Sequence, residues 1–212
     1  MDATAGLVLG VDLDGVCGDY SGALRRSVAA RRGVDPASLP EQRSFGVFEE
    51  WGLDAATYRE AHRAAVVEDR IFRTMPALPG VADALWRLSD AGIWIRIITH
   101  RLLFNWAHEI TAADTAAWLD LQRIPYRDLC FVGDKPTVGA DLYVDDSPRN
   151  VLALREAGRR VIVFDQPYNR DLGGPRATDW DQLAGMVLEE HQRRTLQAAL
   201  PLDAAARAIG RG

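Results

Sequence analysis

The sequence predicts an α/β protein: a doubly wound, Rossmann-like parallel sheet with a small helical insert after its first strand. Three observations predict it. Short apolar runs alternate with helical stretches, the pattern of βαβ units and a parallel sheet. Asp12, Thr99 and Asp145 each fall at the end of such a run, and ligands of open parallel sheets bind beyond the carboxyl ends of the strands. Residues 19–75 break the alternation, because they contain no clear strand.

In chain order, strands are predicted over 7–12, 93–99, 129–133, 142–145 and 160–164, and core helices over 80–91, 111–123, 148–157 and 178–197. Pro79 suits a first helical turn and Gly92 a helix stop. Thr111-Ala112-Ala113-Asp114 resembles a capping box that opens the second core helix. The insert reads as helices over 21–32, stopped by Gly33, over 44–51, and over 54–69, opened by Asp54, with Pro36 and Pro40 marking a linker. The resulting division is a core of residues 1–18 and 76–200, a cap insert of 19–75, and a small, Ala-rich tail of 201–212 that is expected to fray.

Composition narrows the function classes. The chain has 212 residues, the size of one large domain or of a domain plus an insert. Hydrophobic residues at 48% supply a full core, and 26% charged residues argue against disorder. A net charge of −5 disfavours a nucleic acid polymer or an anionic membrane as partner. Met1-Asp2-Ala3-Thr4-Ala5 carries no basic n-region, and the apolar run after it is short. Cys17 and Cys130 are the two cysteines, which implies no disulfide framework and a cytoplasmic location.

The chemistry concentrates in Asp12-Leu13-Asp14-Gly15-Val16, directly after Leu7-Val8-Leu9-Gly10-Val11. Residues i and i+2 of an extended chain project to one side, so two like charges face one place. Each raises the other's proton affinity unless a cation sits beside them. Thr99, Lys135 and Asp145-Asp146 complete a set of parts for Mg²⁺-assisted phosphoryl transfer through an aspartyl phosphate.

Blander readings compete with this one. Asp12 and Asp14 alone read as a turn, although the preceding strand and the missing downstream Glu exclude an EF-hand. Asp145-Asp146 suits a helix N-terminus ahead of Pro148, and Lys135 alone is a solvated loop lysine. Phe45, Phe48, Trp51, Tyr58 and Phe72 are assigned first to the core of the insert. His62, His108 and His191 lack partners at metal spacing and are assigned to surface or packing. His100 and Arg101 stand apart because they directly follow Thr99. Cys17 has Ala23 where a cysteine phosphatase loop needs Arg, and no Walker or dinucleotide glycine pattern is present.

The ordered series Asp-x-Asp-Gly-Val, Thr, Lys, Asp-Asp resembles the haloacid dehalogenase superfamily of phosphohydrolases. Finer detail resembles its deoxyribonucleotidase-type 5′-nucleotidases. The matching segments are Asp12 through Tyr20, Pro76-Ala77-Leu78-Pro79-Gly80, Gly133-Asp134-Lys135, Ala140 through Asp146, and Val163 through Asn169. Relatives of this kind place Ser and Pro where His100 and Arg101 stand, Trp where Gly46 stands, and Arg where Ser147 stands.

The resemblance and the chemistry together imply roles. Asp12 is the nucleophile, ionised without help from a base. Asp14 protonates the leaving oxygen and later deprotonates water. Mg²⁺ takes oxygens from the Asp12 side chain, the Asp14 backbone carbonyl and Asp146, while Asp145 orients Lys135 or a metal-bound water. Whether Asp145 or Asp146 ligates directly is left open by the residues. Thr99 and Lys135 hold the phosphate. Tyr20, Phe45 and Val47 match positions that line a nucleoside pocket from the cap side, while Arg101, a departure from that pattern, is a substrate-binding candidate that would instead fix a second anionic group of a different phosphometabolite.

The expected partner is a small phosphorylated metabolite, a nucleoside monophosphate first, with a homodimer allowed for. Another phosphometabolite, transfer to an acceptor other than water, and non-catalytic phosphometabolite binding stay open as alternatives.

Overall fold

Six strands lie in one parallel sheet in the computed structural model, which describes residues 6–46, 50–103 and 106–199. The first strand, β1 (Val8–Val11), runs at its centre and pairs with β2 (Trp94–Thr99) on one side and β4 (Leu142–Asp145) on the other. Outside these lie β3 (Asp128–Phe131), β5 (Val161–Phe164) and the two-residue β6 (Arg176–Ala177). The order β3-β2-β1-β4-β5-β6 reverses direction at β1, so a crevice opens where its carboxyl end meets that of β4. Strands buried on both faces must be apolar throughout, and Leu9, Val11, Ile95, Ile97, Val144 and Val163 are each at most 1% exposed. The expected parallel α/β sheet is the one observed. β6 escaped the sequence because two residues carry no periodicity.

The core helices are α4 (Val81–Asp90), α5 (His108–Leu121), α6 (Pro148–Glu156) and α7 (Trp180–Ala199). In α4, Val81, Ala84, Leu85 and Leu88 recur at helical spacing and are buried. Each leucine fully removed from water there contributes on the order of 1.5–3 kcal/mol. Gly92 stops the segment at φ 86 as expected. Pro79, by contrast, precedes the N-cap, since Gly80 takes that position at φ 79. The capping box at Thr111 does not form. Helix α5 begins three residues earlier, Ala107 turning into it at φ 53, and Thr111 is an interior residue only 1% exposed.

Between β1 and α4 stand α1 (Tyr20–Arg32), α2 (Ala55–Val67) and the one-turn α3 (Ile71–Thr74). Asp19 caps α1 by accepting from the Gly22 N–H at 2.9 Å, Gly33 ends it at φ 65, and Asp54 caps α2 with Thr57. No helix spans 44–51: Ser44 to Gly46 bend, and 47–49 lie outside the described residues, as do 104–105 and the expected tail of 201–212. The chain leaves the sheet and returns to it side by side. Leu78 N donates to Cys17 O at 2.7 Å and Asp19 N to Pro76 O at 2.9 Å. Two buried indoles pin these crossings, Trp180 donating to Val16 O and Trp118 to Met75 O, each at 2.8 Å. Arg70 adds a bidentate pair with the fully buried Asp114 of α5, at 2.5 and 2.6 Å. No helix among the described residues is long and apolar enough to cross a membrane.

Glu190 ties α7 to the start of β5. It accepts from Arg160, Arg193 and Arg194 and is 8% exposed. The bonds from Arg160, and then those from Arg193 and Arg194, overcome burial and hold its carboxyl well below the ordinary 4.5. Because the folded value is depressed, the stabilisation is complete above the unfolded value and is lost as pH falls through the folded one. Glu190→Gln is therefore expected to cost about 1–3 kcal/mol at pH 7. In thermal melts at pH 7 and pH 3 the gap from wild type should narrow at the lower pH; an equal gap at both would contradict this account.

Candidate active site

The turn after β1 sets the first carboxylates. Leu13 O accepts from Cys17 N at 2.8 Å and from Gly18 N at 2.9 Å, closing a tight loop in which Gly15 stands at φ 84. A side chain there is doubly excluded, since a Cβ would lie 2.1 Å from Asp146 Oδ2 and 2.8 Å from the Tyr168 hydroxyl. Glycine thus lets the loop touch the carboxylate that follows β4.

Three buried carboxylates meet here. Asp12, Asp145 and Asp146 each place an oxygen within 4.8 Å of the others. Lys135 stands between two of them, its Nζ 2.7 Å from Asp12 Oδ1 and 2.6 Å from Asp145 Oδ2, and is itself 2% exposed. Burial alone would lower its ammonium, but Asp12 and Asp145 hold it above its ordinary value. One ammonium against three carboxylates leaves two negative charges when all are ionised. Burial, with Asp145 and Asp14 adding to it and Lys135 opposing, pushes Asp12 up to about 7. Burial and the neighbouring Asp12 and Asp145 likewise raise Asp146. Such a cluster fits a divalent cation, which would cancel the surplus charge with hard oxygen ligands.

The two adjacent carboxylates differ in their partners. Asp145 gives Oδ2 to Lys135 and Oδ1 to the Ser147 N–H at 2.9 Å, and Asn150 Nδ2 donates to it at 3.2 Å. Asp145 is thus both the acidic residue at the N-terminus of α6 and a member of the cluster. Asp146 accepts from the Tyr168 hydroxyl, a phenol that burial and Asp146 keep protonated. Asn169 braces the same turn by donating to Asp146 O at 2.7 Å and Phe164 O at 2.8 Å.

These residues floor a cavity of about 310 Å³, near the lower end of the roughly 300–1,000 Å³ usual for small-molecule sites. Asp12, Asp14, Thr99 and Asp146 line it together with Tyr20, Tyr58, His62, Phe72 and the half-exposed Phe45. Tyr20 Oη lies 2.7 Å from His62 Nδ1 and 3.3 Å from the Tyr58 hydroxyl. Burial pushes His62 down to about 4, so a neutral imidazole lines the cavity. The Phe45 ring meets Tyr168 edge-on at 5.7 Å.

A family model described as "5' nucleotidase, deoxy (Pyrimidine), cytosolic type C protein" matches residues 6–193. The chain belongs to this nucleotidase family. Among its relatives, a protein of Chlorobaculum tepidum named "Putative 5'(3')-deoxyribonucleotidase" is 44% identical over 184 residues, covering 85% of this chain and 90% of the relative. The human "5'(3')-deoxyribonucleotidase, mitochondrial" is 25% identical over 76% of this chain and 72% of its own length. Among solved structures, a haloacid dehalogenase-like family hydrolase from Streptococcus pneumoniae superposes with a TM-score of 0.60 at 14% identity. It covers 87% of this chain and 100% of that one, which establishes the haloacid dehalogenase-like fold.

Most residues singled out from the sequence meet at this site of the nucleotidase family member. Asp12, Asp14, Thr99, Arg101, Asp146, Tyr20 and Phe45 all face the cavity. Lys135 and Asp145 adjoin it through Asp12. Val47 lies outside the described residues. Arg101, the candidate for a second substrate anion, has its guanidinium bound to Asp14, with Nη2 2.6 Å from Oδ1.

Phe45 and Tyr58, assigned first to the core of the insert, face the cavity, whereas Trp51 is buried at 4% and donates to Pro40 O at 3.0 Å. His62 is buried against Tyr20 and Phe72, the packing alternative of its assignment, and also lines the cavity. The spacing Tyr58-x-x-x-His62 on one helix was the available signal, since i and i+4 share a face. Tyr168 lay in the matching segment Val163 through Asn169 without a role assigned to it, and Asn150 carried no signal, because each acts through a residue brought to it by the fold.

Proposed function

We propose that this chain is a Mg²⁺-dependent phosphomonoester hydrolase acting on nucleoside 5′-monophosphates. The observation that carries the reading is the Asp12 carboxylate, held by Lys135 at the end of β1 and opening into a cavity that aromatic side chains also line. Residues 19–75 act in this reading as the cap over a core of 1–18 and 76–200. Mg²⁺ would be held by Asp12, Asp146 and the Asp14 backbone carbonyl, and it would neutralise phosphate charge during transfer. Asp145, with both oxygens engaged by protein donors, serves to aim Lys135.

In the first half-reaction Asp12 attacks phosphorus, the bond to the leaving oxygen breaks, and Asp14 supplies that oxygen's proton. In the second, water attacks the phosphorus of the aspartyl phosphate and passes its proton to Asp14, freeing Asp12 and inorganic phosphate. Thr99 holds a phosphate oxygen through its hydroxyl. Tyr20 and Phe45 pack the nucleoside. A cytoplasmic location agrees with two cysteines that form no bridge.

Phosphate release from a panel of nucleoside monophosphates, with Mg²⁺ and with EDTA, tests this directly. Metal-dependent release of nucleoside and phosphate supports it, and equal rates in chelator overturn it. Phe45→Ala should raise KM for a nucleotide by about 2–10-fold, corresponding to the roughly 0.5–1.5 kcal/mol of an aromatic contact, while leaving a small alkyl phosphate unchanged. An equal change for both would place Phe45 off the substrate. Gly46 is the poorer probe of the same cavity, because at φ 94 any side chain strains the backbone.

A further inference from the structure

Each nitrogen of the Arg101 guanidinium has a protein partner. Its Nε lies 3.1 Å from Asp14 Oδ2, its Nη2 2.6 Å from Asp14 Oδ1, and its Nη1 3.1 Å from Thr115 Oγ1. One face lies over the Phe72 ring at 4.2 Å, and Trp118 stands at 5.7 Å. The Arg101 side chain is 0% exposed, whereas that of Asp14 is 26% exposed at the cavity edge. A planar fork held by α3 and α5 is a rigid mount, and a bidentate bond transmits that rigidity to the carboxylate. Thr115 is anchored in turn by donating to Thr111 O at 2.7 Å inside α5.

We infer that Arg101 is a positioning residue: it aims Asp14 at the leaving oxygen and takes no part in holding substrate. The inference rests on the proposed phosphomonoesterase reading. Asp14 acts twice per cycle at one place, first giving its proton to the departing alkoxide as the phosphorus–oxygen bond breaks and Asp12 bonds to phosphorus. It then receives a proton from water as the aspartyl phosphate is hydrolysed, which restores the protonated acid for the next turnover. A partly exposed carboxylate without a mount would spread over rotamers and lose that registry, and misplacement by about 1 Å can cost 10²-fold.

The consequence is specific to the leaving group. Alkoxides need a proton to depart, while nitrophenolate does not. Arg101→Met fills similar volume against Phe72 and leaves a carboxylate that water can solvate. It should lower kcat/KM for an alkyl phosphate or nucleotide by about 10²-fold and for p-nitrophenyl phosphate by less than about threefold. The inhibition constant of inorganic phosphate should stay within about twofold, because no substrate contact is removed. In an Asp14→Asn background the same change should add no further loss, as expected for residues acting as one unit.

Should Arg101→Met not fold, Thr115→Val carries the test. It removes one anchor of the guanidinium isosterically and should steepen the leaving-group dependence in the same direction by about 3–10-fold. Equal losses for alkyl and aryl substrates, in whichever of these variants folds, would overturn the inference. So would a raised phosphate inhibition constant, which would restore Arg101 to the substrate. A wild-type chain without phosphatase activity in Mg²⁺ would remove the proposed function and this inference together, whereas active wild type with a flat leaving-group response removes the inference alone.

Discussion

Asp12→Asn is expected to abolish turnover, by on the order of 10⁴-fold or more, without unfolding the protein. The substitution keeps the side-chain volume and removes one of three carboxylates packed within 4.8 Å of one another. Burial pushes Asp12 up to about 7, which shows that its charge is held against a cost. Removing it should therefore leave the melting temperature unchanged or raise it, the trade-off expected where a strained charge serves chemistry. Lys135 keeps Asp145 as partner at 2.6 Å, so the ammonium is not stranded. Initial rates of phosphate release, paired with thermal melts, check both halves. Turnover above about 1% of wild type would remove Asp12 as nucleophile.

Lys135→Met has the opposite signature: activity and stability should fall together. Lys135 is 2% exposed and lies between Asp12 and Asp145. Its loss leaves three buried carboxylates with no cation paired to them among the described residues. Breaking a buried pair in this way typically costs about 3–5 kcal/mol, or roughly 6–20 °C in the melt of a domain this size. In the proposed reaction Lys135 also neutralises charge on the transferring group, so its loss should lower kcat by about 10²–10³-fold. Mg²⁺ should raise the melting temperature of the variant more than that of wild type, because the cluster then carries one more unneutralised charge. A variant as stable as wild type and indifferent to Mg²⁺ would show that Lys135 does not hold the cluster together.

The parallel sheet was legible because buried strands such as Val161-Ile-Val-Phe164 are continuous apolar runs. The inner site was legible for a related reason. Asp12, Thr99 and Asp145-Asp146 each end such a run, and the carboxyl ends of parallel strands converge. Local turn chemistry was read less well. Thr111 had the composition of a cap, but α5 begins at His108 and buries it. Tertiary packing outweighed a local preference worth about 1 kcal/mol. Helix α3 has four residues, too few for any periodic pattern.

By itself, then, the sequence determined the class of the sheet, the strand that leads into the two carboxylates, and the family to which the chain belongs. Those properties live in short contiguous segments, where apolar runs and motif spacing are visible. Tertiary structure alone decided the partners. Arg101 meets Asp14 across 87 positions, His62 meets Tyr20 across 42, and Tyr168 meets Asp146 across 22. A periodic pattern states which face of an element is buried, but not which element covers it. For Arg101 the partner is Asp14, the contact on which the inferred positioning role rests. Its guanidinium could be placed only once α3 and α5 had closed around it, since a planar group carrying one charge takes its role from whichever acceptors the fold sets before it.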